Sequence, residues 1–162
     1  MAFSVGDTLP EATFVKLGAE GPEQVELQDL IRDRNVVIFA VPGAYTPTCS
    51  SAHVPSFIRT RDQFTEKGVE EIICICVNDP FVINAWGDAT GANGAGIKML
   101  GDAESKFTKA IGMDFDAPPA GLMARSKRYA MYAESGVVKV LHVEENPGMC
   151  ETSAGEGLLA AI

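Results

Sequence analysis

PGAYTPTC, Pro42 to Cys49, crowds two prolines and two threonines around one thiol. A thiol becomes a nucleophile as its thiolate, so the chemistry turns on what would lower the pKa of Cys49. The segment follows a strand-like apolar run, NVVIFAV (Asn35 to Val41), and leads into an amphipathic helical stretch. The first turn of a helix offers unpaired N–H groups and the positive end of the dipole, and both favour a thiolate. Pro42 and Pro47 stiffen the turn. Thr46, three residues before Cys49, can direct its hydroxyl at the sulfur or at a bound oxygen ligand. A structural cysteine of the buried, inert kind needs none of these neighbours, so Cys49 reads as a reactive thiol.

The tetrad Thr46-Pro47-Thr48-Cys49 has a threonine where a C-x-x-C motif carries its first cysteine. A dithiol exchanger needs both sulfurs, so disulfide exchange through this turn is disfavoured. One activated thiol beside a hydroxyl suits attack on a small polar oxidant.

Other reactive side chains read more quietly. His53 lies four residues after Cys49; a general base there is conceivable, but it is taken as a structural residue behind the site. His142, in VLHV, is expected at a surface or sheet edge. Cys74 and Cys76 share one face of a strand and are read as core. C-x-C alone supplies two ligands where structural zinc wants four, so no metal is expected. GANGAG (Gly91 to Gly96) is too loose and too far from a strand end for a phosphate loop. Phe81 and Trp86 read as packing.

The elements that must position these residues alternate. NVVIFAV and EIICICV (Glu71 to Val77) read as strands buried on both faces. Between them Val54, Phe57, Ile58 and Phe64 recur at helical spacing from Cys49 toward Lys67, and Gly68 stops the helix. This is a parallel crossover unit. A second helix is expected from Pro80, with Phe81, Val82, Ala85 and Trp86 on one face. IKML (Ile97 to Leu100) reads as a strand and Glu104 to Ile111 as a helix. RYAMYAESGVVKVLHV reads as a hairpin turning at Glu134-Ser135-Gly136. A last helix is expected from Thr152 to Ile162. The pattern is α/β, a central mixed β-sheet flanked by helices, in one domain over residues 1–162.

The net charge of −9 argues against nucleic acid and acidic lipid surfaces as partners. No apolar stretch approaches the ~20 residues of a membrane span. MAFSVGDTLPEATF has neither a basic n-region nor a long apolar core, and the first basic residue is Lys16, so the expected setting is cytoplasmic. Four cysteines without a secretory signal are expected to rest as thiols.

Pro42-x-x-x-Thr46-x-x-Cys49 resembles the P-x-x-x-T-x-x-C signature of peroxiredoxins, and VPGAYTPTCSSAHVPSF with CVNDPFV (Cys76 to Val82) resembles their type II, peroxiredoxin-5-like branch. The resemblance runs from VGDTLP (Val5 to Pro10) to the C-terminal helix. It implies a thioredoxin-like fold and a thiol-dependent peroxidase that reduces hydrogen peroxide and alkyl hydroperoxides without a cofactor. Cys49 would be the nucleophile, passing through a sulfenic acid. Thr46 would hydrogen-bond the peroxide, and Pro42 would shield the sulfur. The family's arginine falls in RSKRYA (Arg125 to Ala130). The residues alone do not choose between Arg125 and Arg128; the family register places it at Arg128, where a permanently charged guanidinium would stabilise the thiolate and the leaving oxygen.

Resolution of the sulfenic acid stays open. Cys150, after NPGM (Asn146 to Met149), falls near the resolving cysteine of the peroxiredoxin-5 group and is favoured. An external thiol follows, and Cys74, matching the second cysteine of plant type II proteins, comes third. The resemblance implies thioredoxin or glutathione with glutaredoxin as electron donor, and a homodimer to which Tyr45, Phe81 and Trp86 could contribute. The rival readings are a thioredoxin-like thiol–disulfide oxidoreductase and a non-enzymatic redox sensor.

Overall fold

A computed structural model describes residues 3–162, with Cys49 described through its backbone alone. In chain order the elements are β1 (Thr13–Gly18), β2 (Gly21–Glu26), α1 (Leu27–Ile31), β3 (Asn35–Val41), a π-helical turn (Cys49–His53), α2 (Val54–Glu66), β4 (Glu71–Cys76), α3 (Pro80–Thr90), β5 (Lys98–Gly101), α4 (Lys106–Ala110), β6 (Asp114–Ala117), a 3₁₀ turn (Pro118–Ala120), β7 (Leu122–Ser126), β8 (Tyr129–Glu134), β9 (Val137–Val143) and α5 (Gly155–Leu159). Seven strands form one sheet in the order β2-β1-β5-β4-β3-β8-β9, while β6 and β7 make a separate hairpin. β3, β4 and β5 pair in parallel, and β8 joins β3 antiparallel. The sheet is mixed, as expected.

The apolar runs are continuous because each central strand feeds two cores. On one face Val37, Phe39, Val41, Cys74 and Cys76 pack with Phe57 and Phe64 of α2, Trp86 of α3 and Leu158 of α5. On the other, Val36, Ile38, Ala40, Ile73 and Ile75 pack with Leu27 of α1 and Phe107 of α4. Period two sends alternate residues to opposite faces, and burying one such large side chain contributes about 2 kcal/mol.

Three expectations need correction. The helix toward Lys67 is not α-helical throughout: after α-helical Pro47 and Thr48 the segment Cys49–His53 is a π turn, and α2 follows only from Val54. Pro55 has no N–H to give the Ser51 carbonyl and its ring crowds that oxygen, so the regular ladder cannot run through. In α3 the buried face is Pro80, Ile83, Trp86 and Gly87; Phe81 is 60% exposed, and Ala85 is exposed too. Asp79 caps the Phe81 and Val82 N–H groups and fixes where the helix starts, and spacing i, i+3, i+4 then decides the face. The last helix spans only Gly155–Leu159. Its first residue touches α2 so closely that a Cβ there would lie 2.5 Å from the Ser56 carbonyl oxygen.

Candidate active site

The loop after β3 is built by its own short contacts. The Thr46 hydroxyl donates to the Gly43 carbonyl at 2.9 Å, and the Ala44 N–H donates to Asn78 Oδ1, beyond the end of β4, at 3.0 Å. Tyr45 takes φ +66°, a left-handed conformation that costs a non-glycine residue. The Ser50 N–H reaches back to the Thr46 carbonyl at 3.1 Å, which brings the backbone of Cys49 into the first turn of helical structure. From α3, on the same face of the sheet, Trp86 Nε1–H donates to Ser50 Oγ at 2.9 Å.

Pro42, Thr46, Pro47 and Thr48 line a pocket of about 160 Å³ together with Leu122, Arg128, Pro147 and Gly148. Arg128, directly before β8, is 1% exposed. Its Nε–H donates to the Pro147 carbonyl and its Nη1–H to His53 Nδ1, both at 3.0 Å. Arg125 serves the same loop differently, donating from Nη1 to the Pro42 carbonyl at 3.1 Å. The two arginines therefore divide the work: Arg128 faces the pocket, and Arg125 braces the proline behind it.

His53 is buried beside the stacked rings of Phe39 and Phe57, with ring centroids 5.0 and 5.6 Å away. Its Nε2 lies 3.0 Å from the Ser153 carbonyl. Burial, and then the neighbouring Arg128 charge, push its pKa down to about 3 against the pull of the Ser153 carbonyl and Glu144. Burial opposes ionisation of Glu144, but hydrogen bonds from the Ser153 hydroxyl and the Ser153 and Glu151 N–H groups outweigh it and hold the carboxyl below its ordinary value.

Of the residues singled out from the sequence, Pro42, Thr46 and Arg128 meet at one pocket. Cys49 adjoins it by its backbone; its side chain lies outside the described residues. Cys150 is half-buried, two residues beyond Gly148 in the pocket wall. Cys74 is fully buried in β4, between Phe39 of β3 and Met99 of β5. His142 is on the edge strand β9, with Nδ1 2.8 Å from the Thr152 carbonyl. The sequence reading missed Leu122, Pro147 and Gly148 as pocket residues, and the contacts of Arg125, Glu144 and Ser153. NPGM signalled a turn, but nothing in it told which side chains the turn would face. Among the described residues no His, Cys, Asp or Glu cluster is arranged to hold a metal ion, and no helix is long and apolar enough to cross a membrane.

Residues 4–159 match the redoxin family. The chain is 44% identical to peroxiredoxin-2E-2, chloroplastic, of Oryza sativa subsp. japonica, over 98% of this chain and 72% of that protein. It is 41% identical to peroxiredoxin-2C of the same species, over 98% of both chains. The structure of reduced Prx3 in complex with hydrogen peroxide from Vibrio vulnificus superposes with a TM-score of 0.89 at 46% identity, covering 98% of each chain. Peroxiredoxin 5 from Alvinella pompejana superposes at 0.85 and 30% identity, covering 98% of this chain and 96% of that one. The thioredoxin-like fold, the pocket beside Cys49 and these likenesses agree: the chain belongs to the redoxin family, as a type II peroxiredoxin and a thiol-dependent peroxidase.

Proposed function

We propose that Cys49 is the peroxidatic nucleophile and that hydrogen peroxide and alkyl hydroperoxides are its substrates. The observation that carries this reading is the convergence of Pro42, Thr46 and Arg128 on one small pocket next to the Cys49 backbone. The thiolate sulfur takes one peroxide oxygen as the O–O bond breaks. The other oxygen leaves with the electron pair, gains a proton and departs as water or alcohol. Arg128 offsets the charge on the thiolate and on the leaving oxygen, where fixed donors act most strongly. Thr46 orients the bound peroxide through its hydroxyl, and Pro42 keeps bulk water from the sulfur.

Cys150 resolves the sulfenic acid: its thiol sulfur displaces the hydroxyl, which leaves as water, and a Cys49–Cys150 disulfide remains. Thioredoxin, or glutathione with glutaredoxin, returns the two electrons, in a reducing compartment such as the cytoplasm. Direct attack by an external thiol is the second route. Cys74 ranks last because it pairs on both sides within the centre of the sheet, and a disulfide requires Cα atoms within ~7 Å. The molecule works as a homodimer. Tyr45 and Phe81, 57% and 60% exposed, support that reading, and the Asn78 contact to Ala44 joins the segments that carry them. Trp86 is buried and plays no part at the interface.

One equivalent of peroxide added to reduced protein, followed by dimedone trapping and peptide mapping, tests the assignment. The adduct is expected on Cys49 in Cys150→Ser and a Cys49–Cys150 disulfide in wild type. Dimedone on Cys74 or Cys76 instead contradicts it.

A further inference from the structure

The segment between β9 and α5 is held by a closed ring of hydrogen bonds that passes through the active-site arginine. The Glu144 N–H donates to the Arg128 carbonyl at 3.0 Å. Glu144 Oε2 accepts from the Glu151 N–H at 2.8 Å and from the Ser153 N–H at 2.7 Å. Ser153 offers its carbonyl to His53, and His53 meets the Arg128 guanidinium. That contact closes the ring at Arg128, whose Nε–H adds a branch to the Pro147 carbonyl. Cys150 lies between the two pinned carbonyls of Pro147 and Ser153.

The chemistry of the partners fixes the state of His53. A guanidinium only donates, so Nδ1 is an acceptor without a proton. A carbonyl only accepts, so Nε2 carries the hydrogen. His53 is thus the neutral Nε2–H tautomer, and its burial against two phenyl rings supports the same state. Both described acceptors of Arg128 are uncharged, and each orients one arm of a long side chain without cancelling its charge. A general base needs a nitrogen open to the reacting proton, and both ring nitrogens are already engaged.

We propose that His53 is a positioning residue for Arg128: its Nδ1 sets the guanidinium at the peroxide pocket, while its Nε2–H ties the same assembly to the segment that bears Cys150. The inference rests on the reading that Arg128 acts at the peroxidase site. Two substitutions separate the two ends of the ring. Asparagine places an oxygen acceptor where Nδ1 stands and cannot reach Ser153. Glutamine reaches the Nε2 position with an amide donor and leaves nothing at Nδ1.

The test measures the second-order rate of peroxide reduction in stopped flow for His53→Asn, His53→Gln and both in the Arg128→Ala background. His53→Asn is expected within about threefold of wild type and His53→Gln at least tenfold slower. In Arg128→Ala, neither change should alter the rate further, because a residue acting through Arg128 has nothing left to position. Equal rates for the asparagine and glutamine variants overturn the proposal, as does a glutamine loss that persists undiminished without Arg128. If Arg128→Ala alone retains the wild-type rate, the assignment of Arg128 to the site fails instead.

Discussion

Thr46 and Arg128 reach the same pocket from segments far apart in the chain, and their expected effects differ from those of residues that only brace the loop. Arg128→Ala should lower the second-order rate with peroxide about 10²-fold, the size of losing one donor to a developing oxyanion. Thr46→Val, whose hydroxyl hydrogen is held by the Gly43 carbonyl, should also lower it about 10²-fold, by losing the oxygen that accepts from the peroxide and orients it. Arg125→Ala removes a hydrogen bond to the Pro42 carbonyl and should cost about tenfold at most, the worth of one ordinary hydrogen bond. Stopped-flow oxidation of the three variants checks the ranking, and an Arg125 loss exceeding that of Arg128 reverses the assignment. His53 leaves a second signature. Its folded pKa lies near 3, below the ordinary 6.5, so the unfolded chain binds the proton first as pH falls. Its stabilising contribution is complete above about pH 6.5 and is lost between there and about pH 3. Glu144 adds its own loss only below its ordinary 4.5. Urea unfolding between pH 6.5 and 5 should therefore show stability falling in wild type, by at most about 1.4 kcal/mol per pH unit for one proton, and a flatter profile in His53→Asn. Pro42, Thr46 and Cys49 were legible because they are nearly contiguous and their types are unusual together. Arg128 needed the family register, and its contact with His53 spans 75 residues, a separation that leaves no local mark in the sequence.

β3, β4 and the hairpin of β8 and β9 were readable because strands buried on both faces write unbroken apolar runs. The hairpin of β1 and β2 was not, since EQVE and VKLG mix charge with few apolar residues, and β2 finds its place only as the sheet's edge. The hairpin of β6 and β7 is similarly polar and lies outside the main sheet. The face of α3 was misjudged because apolar identity was given more weight than the phase set by the Asp79 cap. α5 is too short to show periodicity, yet its contact with α2 is tight enough to test. Gly155→Ala would drive a methyl group against the Ser56 carbonyl and the Thr60 hydroxyl. Overpacking of this kind costs about 1–3 kcal/mol, so the thermal midpoint should fall. An unchanged midpoint would show that α5 and the segment before it adjust freely.

At the scale of the whole molecule, one sheet carries two cores, and the site sits where β3 leaves the sheet and the π turn begins. Tyr45 and Phe81 stand exposed on neighbouring segments beside it. In the proposed homodimer Phe81 belongs to the contact face, so Phe81→Arg should shift the protein toward the 17.2 kDa monomer in sedimentation velocity at micromolar concentration, because an unpaired charge there opposes association. A wild-type protein that sediments only as monomer would remove the dimer from the account. In the proposed mechanism one thiol, Cys49, carries the peroxidase reaction. The most direct test is steady-state consumption of hydrogen peroxide and tert-butyl hydroperoxide by wild type and Cys49→Ser, with thioredoxin and with glutathione–glutaredoxin as donors. Sustained turnover by wild type and none by Cys49→Ser with either donor is the predicted result; turnover that survives in Cys49→Ser would contradict it.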